Sequence, residues 1–304
     1  MKTVFVFAGQ GAQTVGMGRE LYDTSAAARK VFEEADSVLD WSVSDVCFNG
    51  PDEKLTASKY CQSAIYTVSM ACLAAFRERI SGIQPVAAAG LSLGEYSALA
   101  CAGSLRFADG LRLVARRGEL MDKACQENPG GMTCILGLAP DVIADVCAAH
   151  DIDVANYNSP GQIVISGVKE RVDAAAAELK GKGARRIVPL NVAGGFHCRL
   201  MKQAGDALAP VLAATDFAVP AIPVAQNYTG ALASDPAEIR KNLECQVAGS
   251  VRWENCVRTM VSELGAERFI EFGPGAVVSG LVRKIDPTLT TGNVSSPADI
   301  ENFV

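Results

Sequence analysis

One turn constrains this chain more than any other stretch: Gly90-Leu91-Ser92-Leu93-Gly94. The preceding Pro85-Val86-Ala87-Ala88-Ala89 is short and apolar enough to be a buried strand. The following Glu95 to Ala102 holds no helix breaker until Gly103, which suits a helix and its glycine stop. A strand, a Gly-x-Ser-x-Gly and a helix in that order describe a nucleophile elbow. The two glycines let the backbone turn sharply, so the serine hydroxyl stands exposed at the strand's end with a helix N-terminus behind it. Without those flanks the pentapeptide would be an ordinary Gly/Ser turn.

The chain has 304 residues, enough for a large α/β domain with a smaller insert, and 49% hydrophobic against 20% charged residues provides a substantial core. A net charge of −6 argues against a general nucleic-acid binder or a membrane-surface protein. No apolar run approaches the ~20 residues of a spanning helix. Val4-Phe5-Val6-Phe7-Ala8 is too short for a signal-peptide core and reads as the first strand. None of the ten cysteines forms a Cys-x-x-Cys pair, and most have apolar neighbours, so they are expected as buried thiols in a reducing compartment. With only two histidines, no metal site is expected.

Gly9-Gln10-Gly11-Ala12-Gln13-Thr14 follows the first strand but lacks the third glycine or alanine of a dinucleotide fingerprint, where Thr14 stands. Its glycines instead let backbone N–H groups approach a polarised carbonyl oxygen. Helical periodicity covers 26–39, 63–80 and 107–125. On the third of these, Arg117 lies at the border of the apolar face, where a guanidinium either snorkels to solvent or reaches into a cleft. From 128 to 193 the pattern runs strand (132–137), helix (141–150), strands (152–157 and 162–166), helix (169–182) and strand (185–192). That βαββαβ order is ferredoxin-like. The expected organisation is an α/β catalytic domain of residues 1–127 and 194–304, interrupted by a small subdomain of residues 128–193. Residues from 294 onward read as a weakly held tail.

A serine hydroxyl needs a general base. His150 closes a helix, where an imidazolium favours the C-terminal end and usually meets solvent. His197 follows Gly194-Gly195-Phe196 at an element junction, after Ser92 in chain order as in hydrolase-type elbows, and is the better candidate. No acidic residue is an obvious third member, and a backbone carbonyl can orient the ring instead. For the oxyanion, the Leu93 N–H follows the nucleophile and the glycine-flanked Gln10 is the natural second donor. Such a pair is worth several kcal/mol in the transition state.

Taken together, Gly9-Gln10-Gly11-Ala12-Gln13, Gly90 to Ala98, Arg116-Arg117-Gly118, Asn156 to Gln162, Phe196-His197 and Phe272-Gly273-Pro274-Gly275 resemble the malonyl-CoA:acyl-carrier-protein transacylase family. The match covers almost the whole chain in order. It implies a hydrolase-like parallel-sheet core with a ferredoxin-like insert, Ser92 as nucleophile, His197 as base, and Gln10 and Leu93 N–H groups as oxyanion hole. It also implies that the Gln246 carbonyl holds the His197 ring and that Arg117 holds the free carboxylate of malonyl. Asn156 and Asn158 would lie near the site, and Phe196 resembles malonyl-selective members. Ala8, Leu91 and Cys198 stand where the family usually has Pro, His and Ser; none of these removes a reacting group.

The expected activity is therefore two-step malonyl transfer from malonyl-CoA, through a malonyl-serine, to the phosphopantetheine thiol of acyl carrier protein, without metal or tightly held cofactor. Bacterial cytoplasm or an organellar stroma or matrix is the expected location, and a monomer the expected state. Because carrier proteins are acidic, Lys180, Lys182, Arg185 and Arg186 form a candidate docking patch. A serine esterase or thioesterase sharing the elbow would release free malonate without a thiol acceptor. A non-catalytic acyl-binding subunit would be indifferent to Ser92→Ala.

Overall fold

The computed structural model describes residues 1–304 and contains ten strands: β1 (Thr3–Phe7), β2 (Pro85–Gly90), β3 (Gly130–Leu136), β4 (Asp153–Ser159), β5 (Gln162–Val168), β6 (Arg186–Pro189), β7 (Val224–Ala225), β8 (Leu232–Ala233), β9 (Arg268–Phe272) and β10 (Thr290–Val294). They form a six-stranded sheet of order β10-β9-β1-β2-β7-β8 and a four-stranded sheet of order β4-β5-β3-β6. The larger sheet is parallel except where β8 turns back on β7. The smaller is antiparallel throughout.

The five residues of β1 are all buried, as befits an inner strand of a parallel sheet covered on both faces. Its side chains alternate between two cores. Phe5 and Phe7 pack with Phe76 and Phe272 on one face, the Phe5 and Phe272 rings meeting edge-on at 4.8 Å. Val4 and Val6 face the other way, with Ala87, Ala89 and the Trp253, Val257 and Met260 side chains of the Trp253–Leu264 helix. The smaller sheet has its own apolar cluster. Ile135, Ile163 and Ile165 pack there against Ile143 and Val146 of the Pro140–Ala149 helix and Leu179 of the Lys169–Gly181 helix.

The helix expected from Ser63 begins at Ser58 and runs to Arg79, so its first turn adds Ser58, Cys61 and Gln62 to a buried surface. It lies beside the Phe107–Glu127 helix, and Gly118 makes that approach possible. A Cβ on Gly118 would stand 2.5 Å from the Ser58 carbonyl oxygen. The tail expected from residue 294 is a misreading. β10 pairs with β9, and the Pro297–Glu301 helix is closed by a Ser296–Asp299 capping box and anchored by buried Ile300. The sequence Thr290-Thr291-Gly292-Asn293 is too polar to announce a strand, because only an edge position tolerates it.

Gly118→Ala is expected to cost about 1–3 kcal/mol by overpacking against the Ser58 backbone. Gly280→Ala, in the Val277–Ile285 helix with nothing within 4 Å of a new Cβ, should instead add about 0.5–1 kcal/mol. Urea midpoints of the two variants against wild type measure the contrast.

Candidate active site

The elbow is built backbone on backbone. A Cβ at Gly94 would lie 2.4 Å from the Phe7 carbonyl oxygen, and one at Gly90 only 2.0 Å from the Gly94 carbonyl carbon. Between them Ser92 is held at φ 53, a left-handed conformation that costs a non-glycine residue roughly 1–3 kcal/mol. Three hydrogen bonds offset that strain. The Ser92 N–H donates to Asn227 Oδ1 at 2.6 Å, Asn227 Nδ2 donates to the Gly90 carbonyl at 2.8 Å, and Gln246 Nε2 donates to the Ser92 carbonyl at 3.2 Å.

His197, also left-handed at φ 55, brings Nε2 to 2.7 Å from Ser92 Oγ and Nδ1 to 2.9 Å from the Gln246 carbonyl oxygen. The carbonyl can only accept, so Nδ1 carries the proton and the Nε2 lone pair faces the serine. Arg117 can only donate, and its NH2 group lies 3.0 Å from Ser92 Oγ. The hydroxyl accepts from the guanidinium and points its own proton at His197. Burial and the Arg117 charge push the His197 pKa down to about 4, against the opposing pull of the Gln246 and Gly249 backbone groups. The ring is therefore neutral and can accept a proton across the whole physiological range.

Arg117 does not snorkel to solvent: only 1% of the residue is exposed. Its NH1 donates to Gln62 Oε1 at 2.7 Å and its NH2 to Gln246 Oε1 at 3.0 Å, while its carbon centre lies 5.5 Å from the Tyr96 ring centroid. No carboxylate lies within ion-pair distance of it. Burial lowers its pKa, though a guanidinium stays charged at any working pH. The arrangement can grip an anionic group beside the serine.

In front of the Ser92–His197 pair opens a cavity of ≈ 350 Å³. Gln10, Leu91, Asn156, Asn158, Phe196 and Met132 are among its walls, so both asparagines and the phenylalanine share the cavity with Ser92 and His197. Neither the Gln10 nor the Leu93 backbone N–H is spent on a hydrogen bond inside the protein, which leaves both free for an oxyanion. Gln246 and Arg117 are not among the residues that line the cavity, but both touch Ser92, Arg117 at its hydroxyl and Gln246 at its carbonyl. His150 is elsewhere: it ends the Pro140–Ala149 helix and meets Glu178 at 2.8 Å. No group of three His, Cys, Asp or Glu could hold a metal ion.

Three residues of the site gave no local signal: Gln62, Asn227 and Glu95. Gln62 looks like a polar interruption in a helix, yet it is fully buried against Arg117. Asn227 and Glu95 support the elbow from beneath, the Glu95 Oε2 accepting from the Asn227 N–H at 2.7 Å and Gln246 Nε2 at 3.0 Å. The three departures from the family pattern are accommodated. Ala8 donates its N–H to the Phe272 carbonyl at 3.2 Å, a bond proline could not make. Leu91 packs against the second core, and Cys198 Sγ meets the Gly195 carbonyl at 3.2 Å.

The model of the acyl transferase domain matches residues 4–285. The chain belongs to the acyl transferase family. Within it, the chain is 42% identical to the malonyl CoA-acyl carrier protein transacylase of Bacillus subtilis over 99% of this chain and 95% of that one. The Escherichia coli K12 transacylase of the same name is 40% identical over 97% and 96%. Among solved structures of acyl transferases, the S-malonyltransferase of Vibrio cholerae superposes with a TM-score of 0.94 at 39% identity, covering 100% of both chains. The malonyl-transacylase PlMCAT, solved with the holo acyl carrier protein AntF of a type II polyketide synthase, gives 0.95 at 37% identity, covering 99% of this chain and 98% of that one.

A His197 pKa near 4 predicts an unusual acid limb. Inactivation by phenylmethylsulfonyl fluoride, which needs the serine and a neutral imidazole, should stay fast well below pH 6.5 and fall only toward pH 4. A limb centred near 6.5 would mean that the ring is not desolvated as described.

Proposed function

We propose that this acyltransferase carries malonyl from malonyl-CoA to the phosphopantetheine thiol of acyl carrier protein, supplying extender units for fatty acid synthesis. The supporting observation is the buried guanidinium of Arg117 touching the hydroxyl of Ser92 at 3.0 Å. A hydrolase of neutral esters has no use for a buried cation with no carboxylate in contact at its nucleophile; an enzyme that carries a diacid-derived acyl group does.

In the first half-reaction Ser92 Oγ attacks the thioester carbonyl as His197 Nε2 takes its proton. The Gln10 and Leu93 N–H groups receive the oxyanion, and CoA leaves with the proton from His197. In the second half-reaction the carrier thiol, deprotonated by His197, attacks the malonyl-serine and the proton returns to Ser92. Arg117 fixes the far carboxylate throughout, with Gln246 and Gln62 aiming its two NH2 groups. Phe196 closes the acyl end of the cavity, and Asn156 and Asn158 line the path of the pantetheine arm.

The strand order β4-β5-β3-β6, with two helices packed on one core, supports the reading of residues 128–193 as a ferredoxin-like subdomain inserted in a hydrolase-like domain of residues 1–127 and 194–304. Ten free thiols, nine of them buried, suit a bacterial cytoplasm or another reducing compartment. Carrier docking on Lys180, Lys182, Arg185 and Arg186 is supported by position. Arg186 opens the edge strand β6, which leads into the cavity-lining Leu190 to Ala193. Glu178 lies 3.5 Å from Lys182 and takes part of the charge, so Arg185 and Arg186 are expected to dominate.

Arg117→Ala should lose about 2–5 kcal/mol of malonyl stabilisation, at least about 30-fold in Ser92 loading, while loading from acetyl-CoA changes far less. Intact mass after timed mixing with each thioester reads both. A preference for malonyl that survives the substitution would defeat the role given to Arg117. Arg185→Glu with Arg186→Glu should raise KM for carrier protein several-fold and leave malonyl loading untouched; unchanged carrier saturation would remove the patch.

A further inference from the structure

Glu95 is a carboxylate with no exposure to solvent, one turn beyond the nucleophile on the Gly94–Cys101 helix. Its two oxygens are treated differently. Oε2 accepts the Asn227 N–H at 2.7 Å and Gln246 Nε2 at 3.0 Å, whereas Oε1 is buried and accepts from no donor of the protein. The other end of the same Gln246 amide accepts from Arg117 at 3.0 Å. One amide group therefore separates a buried anion from a buried cation. A flip of that amide would set oxygen against carboxylate and nitrogen against guanidinium, so the charges fix its orientation.

We infer that Glu95 is the exchangeable counter-charge of Arg117: ionised while the site is empty, and protonated on Oε1 once a substrate carboxylate sits on the guanidinium. This rests on the assignment of Arg117 to the malonyl carboxylate. A second anion beside the same cation leaves the buried site with one negative charge too many, and the anion that can be neutralised without losing a hydrogen bond is Glu95. One O–H bond forms at Oε1 with a proton from solvent, both bonds to Oε2 stay in place, and no covalent bond breaks. Glu95 is a positioning residue: it acts on substrate only through Gln246 and Arg117.

Burial pushes the Glu95 carboxyl up to about 7, against the Asn227 N–H, the Gln246 amide and the Arg117 charge. The titratable groups facing it are Arg117 from the Phe107–Glu127 helix, Tyr96 beside it and Cys256 from the Trp253–Leu264 helix. Burial raises the last two, Tyr96 to about 12, so both stay neutral around pH 7. Above pH 7 the free site holds the ionised form. Binding a carboxylate raises the Glu95 pKa further, so the proton is taken up there; below it the proton is already present.

Proton uptake during Ser92 acylation, read with an indicator dye in weak buffer, tests this on the wild-type enzyme. Malonyl-CoA is compared with acetyl-CoA, so ionisation of released CoA cancels. At pH 8 the malonyl reaction should take up roughly half a proton or more beyond the acetyl reaction. At pH 6 the difference should vanish, and Glu95→Gln should abolish it at pH 8. Equal uptake from both thioesters at pH 8, or an excess that persists in Glu95→Gln, overturns the inference. Arg117→Ala separates the two levels. If the malonyl preference survives it, the assignment of Arg117 fails first; if the preference is lost but wild type shows no excess proton, the counter-charge role alone fails.

Discussion

Gln246 braces three groups of the candidate site at once: the His197 ring, the Arg117 guanidinium and the Ser92 carbonyl. Its main-chain carbonyl orients His197, and its side chain aims Arg117 and braces the carbonyl of Ser92. A base with its pKa near 4 is weak on its own. Burial first and the neighbouring guanidinium second make the imidazole hard to protonate, and that guanidinium also touches Ser92 Oγ. The ring therefore stays neutral well below the ordinary imidazole pKa, with its Nε2 lone pair facing Ser92 Oγ.

The sheet register sets where these parts meet. Phe7 pairs with Gly90, so β1 and β2 end level and release the Gln10 loop and the elbow side by side at their carboxyl ends. Gly94 then packs against the Phe7 carbonyl and locks the helix behind both. The smaller sheet closes the cavity with Met132, Asn156, Asn158 and Val164, and is stitched across by Tyr157 N–H to Val251 and Val251 N–H to Ala155. Asp153 of β4 takes the N–H and guanidinium of Arg199 at 2.8 Å, two residues beyond His197. The segment carrying His197 is thus tied to the smaller sheet as well as to the Gln246 carbonyl.

Much of this was legible in the sequence because it is local. The elbow carries its own turn chemistry, β1 its unbroken apolar run, and the insert an alternation of periods close to the elements observed. Arg117 was ambiguous for a physical reason: helical periodicity places a residue at a border but cannot say whether a border faces solvent or a buried glutamine. Gln62, Asn227 and Glu95 were silent because their meaning is entirely tertiary. Gln62 and Glu95 lie 55 and 22 residues from Arg117 in sequence, and each is an unremarkable helical residue until the fold sets Gln62 against the guanidinium and Glu95 behind the Gln246 amide. The C-terminal strand was missed because an edge strand needs no apolar alternation.

The most direct measurement of the central claim is peptide mapping of the enzyme after mixing with malonyl-CoA and again after adding holo acyl carrier protein. One malonyl group is expected on the peptide carrying Ser92, removed when carrier protein is added and recovered on its thiol. Transfer to carrier protein with no adduct at Ser92, or with the adduct on another residue, would contradict it.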